Sequence, residues 1–208
     1  MVTGKSSRLQ DTRYGNFTLT RAIRPADDLS VVPRAGFRQS MFRDPQRKFK
    51  MPMLCAAVSS ESLFDTFLTL LEPLGPVVHA ILETSHNRTD GSHRDLLREG
   101  IDLPVLQSYC CDHEEMLLND GCTGIAVLNE ARTMEVQFDE HKILTVYAKD
   151  LKPFRRILRK LGLQRDDTLQ LLTEAEHTHV SRPEFADEFE QFCYRLGIGE
   201  AVEHVNWE

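Results

Sequence analysis

From Tyr109 to Gly121 the chain reads YCCDHEEMLLNDG, and six consecutive positions, Cys110 to Glu115, hold two thiols, an imidazole and three carboxylates. These are the ligand types of zinc sites and the working groups of nucleophilic and acid–base catalysis. The run also has the composition of a helix, on which each residue turns by about 100°. On that helix Leu106, His113 and Leu117 fall within about 40° of one another, Asp112 and Glu114 lie about 100° to either side of His113, and Cys111 and Glu115 about 160° away. The cluster disperses, leaving only Cys110 beside His113. Structural zinc takes four protein ligands, and no second Cys/His pair stands at suitable spacing. The expectation is a buried histidine next to a buried thiol.

Two further groupings meet the same test. Glu174 and His177 have the E-x-x-H spacing of carboxylate-bridged di-iron bundles, which need two such motifs and two more glutamates. Only one motif is present, and on a helix from about Asp166 to His179 the ring of His179 lies about 200° from that of His177. Asp139, Glu140 and Lys142 resemble the acidic and E-x-K elements with which some nucleases hold magnesium, but all three fall on one hairpin turn. No metal and no cofactor are expected.

The better candidate is the polar stretch ETSHNRTDGSHRD, Glu83 to Asp95. It follows PVVHAILE (Pro76–Glu83), whose continuous apolar character suits a strand buried on both faces. MPMLCAAVS (Met51–Ser59) is a second such run. SESLFDTFLTLLEPL between them places Leu63, Phe64, Phe67, Leu70 and Leu71 at helical spacing, with Ser60 as N-cap and Pro73 and Gly75 as terminators. Strand, helix and strand with short connections predict a right-handed βαβ unit. In open α/β sheets ligands bind outside the carboxyl ends of neighbouring parallel strands. Ser59, Ser60, Glu83, His86, Arg88 and His93 are therefore the candidate ligand-binding residues, with the helix start adding free N–H groups for an anion. In an enzyme His86 would be the acid–base group, Glu83 its orienter and Arg88 the anion clamp.

The remaining elements follow from periodicity. FTLTRAI (Phe17–Ile23) alternates as a strand does, and the sequence from there to Lys50 reads as turn-rich, basic and irregular. A short helix is expected over about Ser92–Glu99 and a longer one from Asp102–Pro104 to Gly121. TGIAVLN, TMEVQF and KILTVYA, joined by short links, predict an antiparallel meander. Three helices are expected over 150–197, starting near Asp150, near Asp166 and at Ser181, whose spacing to Glu184 is that of a capping box. The fold class is α/β or α+β: a mixed sheet of about five or six strands with helices on both faces and a C-terminal helical segment.

Composition sets the outer bounds. The chain has 208 residues, 41% of them apolar and 27% charged, as in ordinary globular proteins. Residues 1–50 carry 11 Lys+Arg against 4 Asp+Glu, a net +7, so the remainder carries −14 of the total −7. The expected division is a basic, partly ordered arm over 1–50 and one domain over 51–208. The arm interleaves Tyr14, Phe17, Phe37 and Phe42 with arginines, as single-strand nucleic-acid binders do, but an acidic body repels phosphate over about a Debye length, ~8 Å. Charge complementarity within the protein, or with a second copy, is the expected use, and nucleic acid is not an expected partner. No apolar run approaches the ~18 residues that span a bilayer, and MVTGKSSRLQ has no apolar signal core. Five cysteines without a C-x-x-C pair fit free thiols, with Cys55, Cys110, Cys122 and Cys193 in apolar surroundings. A cytoplasmic location is the expectation. No family resemblance is close enough to name.

Two functional readings follow. The leading one is a non-catalytic binding or regulatory domain that engages a protein partner, itself included, or a small anionic ligand. The other is a hydrolase or transferase acting on an anionic substrate at the 59–60/83–93 edge.

Overall fold

Alternation, not continuous burial, governs the strand after Pro76. In Val77–Thr84 the side chains of Val78, Ala80, Leu82 and Thr84 are buried, while His79, Ile81 and Glu83 point to the other face and are only partly covered. A strand of this kind belongs to an antiparallel sheet with one helix-covered face. The computed structural model describes residues 12–26, 30–44, 49–87 and 92–198.

Among these residues eleven strands and five helices occur: β1 Arg13–Tyr14, β2 Phe17–Thr18, β3 Ile23–Pro25, β4 Gly36–Asp44, β5 Phe49–Ala57, α1 Ser60–Leu71, β6 Val77–Thr84, β7 Arg94–Asp102, α2 Leu103–Asp112, α3 Glu114–Asn119, β8 Thr123–Asn129, β9 Met134–Phe138, β10 Leu144–Ala148, α4 Lys152–Lys160, β11 His177–His179 and α5 Pro183–Arg195. Seven strands make one sheet in the order β4-β5-β10-β9-β8-β6-β7, and every neighbouring pair is antiparallel. The meander β8-β9-β10 forms as expected.

The βαβ unit does not. β5 and β6 run in the same direction, but β10, β9 and β8 lie between them, about 19 Å at ~4.8 Å per strand. Helix α1 spans that distance across the sheet face and packs near β9. The chain Met51–Ser59 finds a hydrogen-bonding partner in β10, 90 positions further on, because hairpin-linked β8-β9-β10 offers a ready edge. The strand Arg94–Asp102 replaces the short helix expected there: it pairs with β6 through a bulge near Ala80. The basic stretch expected to be irregular supplies the edge strand β4, paired over its whole length with β5. Phe17 and Phe37 are buried, so they serve the core. Arg34 and Arg38 form ion pairs with Asp166 and Glu174, and Arg21 with Glu115.

The described helices lie on one face only. The buried side chains of all five helices, among them Phe67, Leu106, Met116, Phe154 and Phe189, share a single cluster with the inward residues of the sheet, such as Leu54, Val146, Val136, Val127 and Leu82. Inserting these side chains against one face is what lets an antiparallel sheet leave its other face without helices. The outer face is covered in part by Leu169 and Leu171, which pack with Cys55 and Ile143. The long helix expected to reach Gly121 breaks at His113, which has φ −120° and ψ 23° and separates α2 from α3. His113 is buried beside buried Cys110, stacks on Phe192 and has Nδ1 3.3 Å from Glu188. No described helix is long and apolar enough to cross a membrane.

The second of the three C-terminal helices is absent. Residues 163–182 instead wrap the end of the sheet: Phe37 N donates to Gln164 O at 3.0 Å and Asp166 N to Phe37 O at 2.8 Å. The segment then takes a single 3-10 turn at Leu172–Glu174 and forms β11 against β3, with His177 opposite Pro25 and His179 opposite Ile23.

Candidate functional site

The site is built where β5, β6 and β9 end and β7, β8 and β10 begin, an end of the sheet fixed by the pairings Ala56 to Leu144, Leu144 to Phe138, Phe138 to Ile125, Thr84 to Thr123 and Thr84 to Arg94. The β9–β10 turn carries Asp139, Glu140, His141 and Lys142. Asp139 shapes it by accepting from Ile143 N at 2.9 Å, and Lys142 closes it in the left-handed conformation, φ 61°. Lysine rarely adopts that conformation. Here its side chain is locked: the buried ammonium donates to Thr123 O at 2.7 Å. Burial lowers its pKa to about 8, with Asp120, Asp139 and Glu140 acting in the opposite sense.

The strand pair β3–β11 lies across this turn. It docks on Gly121, whose N donates to Val180 O at 2.8 Å, while Val180 N donates to Ala22 O at 2.8 Å. A Cβ at residue 121 would stand 2.3 Å from Ala22 O, so only glycine permits this approach.

On a strand, residues i and i+2 share a face. His177 and His179 therefore point together, and His141 meets them: ring centroids are 5.0 Å apart for His141–His177, 4.7 Å for His141–His179 and 5.3 Å for His177–His179. One ring nitrogen from each lies within 4.8 Å of the other two. The Nδ1 positions are already engaged. His177 Nδ1 is 2.7 Å from Ala175 O and His179 Nδ1 is 2.7 Å from Gly121 O. His141 Nδ1 is 3.5 Å from both Asp139 Oδ2 and Glu140 Oε1. A carbonyl or carboxylate partner requires a proton on Nδ1, which leaves the lone pair on Nε2 of each ring. Metal-binding histidines are held in this way. Burial works against a proton on His141, but Asp139 and Glu140 hold its pKa above the usual value. Burial lowers that of His179.

A second grouping adjoins the first through the turn 120–123. Asp120 is fully buried. Its Oδ2 is 2.7 Å from His86 Nε2 and accepts from Thr123 Oγ1 at 2.5 Å, and its Oδ1 accepts from Cys122 N at 3.1 Å. Burial favours the protonated acid, but hydrogen bonds from His86, Ser181 and Thr123 hold the carboxyl below its ordinary pKa. Cys122 Sγ, a His86 ring nitrogen and an Asp120 carboxylate oxygen lie within 4.8 Å of one another. A thiol, an imidazole and a buried carboxylate that orients it can together support nucleophilic chemistry.

The residues singled out in the sequence share this end of the sheet without converging. Ser59, not Ser60, occupies the N-cap position of α1. Its hydroxyl accepts from Thr18 N at 2.9 Å and bonds to Glu61, so it is tied to β2 and not to His86. Glu83 faces the outer side of the sheet, where burial, reinforced by Asp95, Glu140, Asp139 and Glu135, raises its pKa to about 7. The carboxylate that His86 meets is Asp120, not Glu83. His93 reaches Glu140 at 4.0 Å, and Arg88 lies outside the described residues. Glu174 is paired with Arg38.

Three residues of the two groupings, His141, Asp120 and Cys122, carried no signal in the sequence. Cys122 is half-exposed, not in apolar surroundings like the buried Cys55, Cys110 and Cys193; Cys111 is exposed, and all five are free thiols. H-x-H in HTHV did carry a signal: read at the strand period, both rings fall on one side.

At the opposite end of the outer face a trough of about 730 Å³ is lined by Phe42, Phe49, Met51, Met134, Glu135 and Tyr147, among others.

No protein-family model, curated protein or solved structure matches the chain.

Proposed function

We propose that this protein is a binding domain for a divalent transition-metal cation of the zinc class, held by Nε2 of His141, His177 and His179. The observation that carries the reading is the convergence of three imidazoles whose Nδ1 atoms are each occupied by a protein acceptor. Tetrahedral zinc with Zn–N of ~2.0–2.1 Å sets ligand nitrogens ~3.3 Å apart, and one ring nitrogen of each histidine already lies within 4.8 Å of the other two. Imidazole selects zinc, copper, nickel and iron over magnesium and calcium. The acidic surroundings, Asp139, Glu140 and Asp120, favour a cation over the anion expected from the sequence.

A hydrolytic role is the second reading. Three protein ligands leave one position for water, as in catalytic zinc sites, and zinc brings the pKa of that water to about 7. Asp139 and Glu140, on the Nδ1 side of His141, would orient that ligand and add negative charge around the site.

The test is calorimetric titration of the chelator-treated protein with Zn²⁺, together with the visible spectrum of the Co²⁺ form. One equivalent with micromolar or tighter affinity and an intense tetrahedral Co²⁺ spectrum are expected. Both should be lost in His177→Ala/His179→Ala. Binding that persists in that variant, or no binding by the folded wild type, would overturn the reading.

A further inference from the structure

Cys122 stands in a setting that none of the other four thiols shares. Cys55, Cys110 and Cys193 are buried and Cys111 is exposed. Burial pushes the thiol of Cys193 up to about 12 and raises that of Cys110 as well. Cys122 alone is half-exposed and within 4.8 Å of both an imidazole nitrogen and a buried carboxylate oxygen. We propose that Cys122 is a nucleophilic thiol, with His86 as its base and Asp120 as the positioning residue behind His86, a centre separate from the three-histidine cluster.

The hydrogen bonds assign the roles. Asp120 has no exposed surface and is held as a carboxylate by Thr123 Oγ1 and Cys122 N. Its contact with His86 Nε2 at 2.7 Å requires the ring proton there, which leaves Nδ1 of His86 as the lone-pair nitrogen. The ring is further fixed by the backbone: His86 N donates to Thr84 Oγ1 at 3.1 Å, and Ser85 N donates to Cys122 O at 2.9 Å. This ties the segment just after β6, which carries His86, to Cys122 just before β8. A base oriented by a third group beside a thiol is the general arrangement of nucleophilic cysteine sites.

The chemistry this permits is acyl transfer from an ester or thioester. The thiol proton passes to the His86 imidazole. The sulfur attacks the acyl carbon and forms a new S–C bond. The bond to the leaving alkoxide or thiolate breaks, and His86 returns the proton to it. Water then hydrolyses the enzyme thioester, releasing a carboxylic acid and restoring the thiol.

The test measures iodoacetamide alkylation of the folded full-length chain at pH 7 in EDTA, residue by residue, by peptide mass spectrometry. Iodoacetamide forms the S–C bond and expels iodide, and exposed Cys111 is the internal reference within the same molecule. Cys122 is expected to react at least tenfold faster than Cys111, and His86→Ala should bring the two rates together. A p-nitrophenyl acetate burst that disappears in Cys122→Ser is the second expected result. The proposal is overturned if Cys122 reacts no faster than Cys111 in the wild type, a comparison that depends on no variant folding. It is also overturned if the rate advantage survives in folded His86→Ala.

Discussion

Glu83 offers the sharpest quantitative test of the electrostatics at this end of the sheet. Its carboxyl lies opposite Gly124 on one side and Asp95 on the other, and burial followed by repulsion from Asp95, Glu140, Asp139 and Glu135 raises its pKa from 4.5 to about 7. A raised carboxyl pKa means that between those values the folded state keeps a proton that the unfolded state has released. Stability therefore falls as pH rises through that window and levels off above it. Between pH 5 and pH 8 the gap amounts to about 2.5 kcal/mol of lost stability, taking ~1.36 kcal/mol per pKa unit. Glu83→Gln keeps the shape and removes the titration. In EDTA, urea unfolding at the two pH values should show the variant gaining about 2 kcal/mol or more on the wild type at pH 8 relative to pH 5. Parallel pH dependence of the two proteins would mean that Glu83 is ionised and well solvated in the folded state, and the account of the acidic cluster would fail.

Gly121→Ala places a Cβ 2.3 Å from Ala22 O. It should cost about 1–3 kcal/mol and weaken Zn²⁺ binding at least tenfold by displacing His179, both measured in parallel by unfolding and calorimetry. Asp120 titrates below its ordinary pKa, so its contribution is fully present above pH 3.8 and is lost as pH falls through the lower folded value. Asp120→Asn should therefore flatten the acid limb of a circular-dichroism unfolding curve and cost about 2–4 kcal/mol at pH 7, since it strips a buried hydrogen-bond network of its charge.

Local pattern decided the meander, α1, α4 and α5. In each, one period of apolar residues runs the length of the element, and the partners lie close by in sequence or on a common core face. The strand–helix–strand order at 51–84 was legible too. The pairing of its strands was not, because backbone hydrogen bonds in a sheet carry no residue code and β10 competes successfully for the edge of β5. The decisive ambiguity lay in TEAEHTHV. At 3.6 residues per turn its two histidines point apart, and at the strand period of two they point together. Eight mostly polar residues cannot choose between those periods by themselves. The choice is made by β3, whose free edge accepts β11, and by Gly121, whose missing side chain lets the pair settle on the sheet end.

The amino-acid sequence alone determines that this is a mixed helix-and-sheet protein with mostly buried cysteines and an acidic body carrying a basic segment. Which titratable groups meet was decided only by tertiary structure. His86 comes from the segment after β6, Asp120 and Cys122 from the link between α3 and β8, and His141, His177 and His179 from a turn and a remote strand. Contacts across such separations depend on strand order, which local periodicity does not encode.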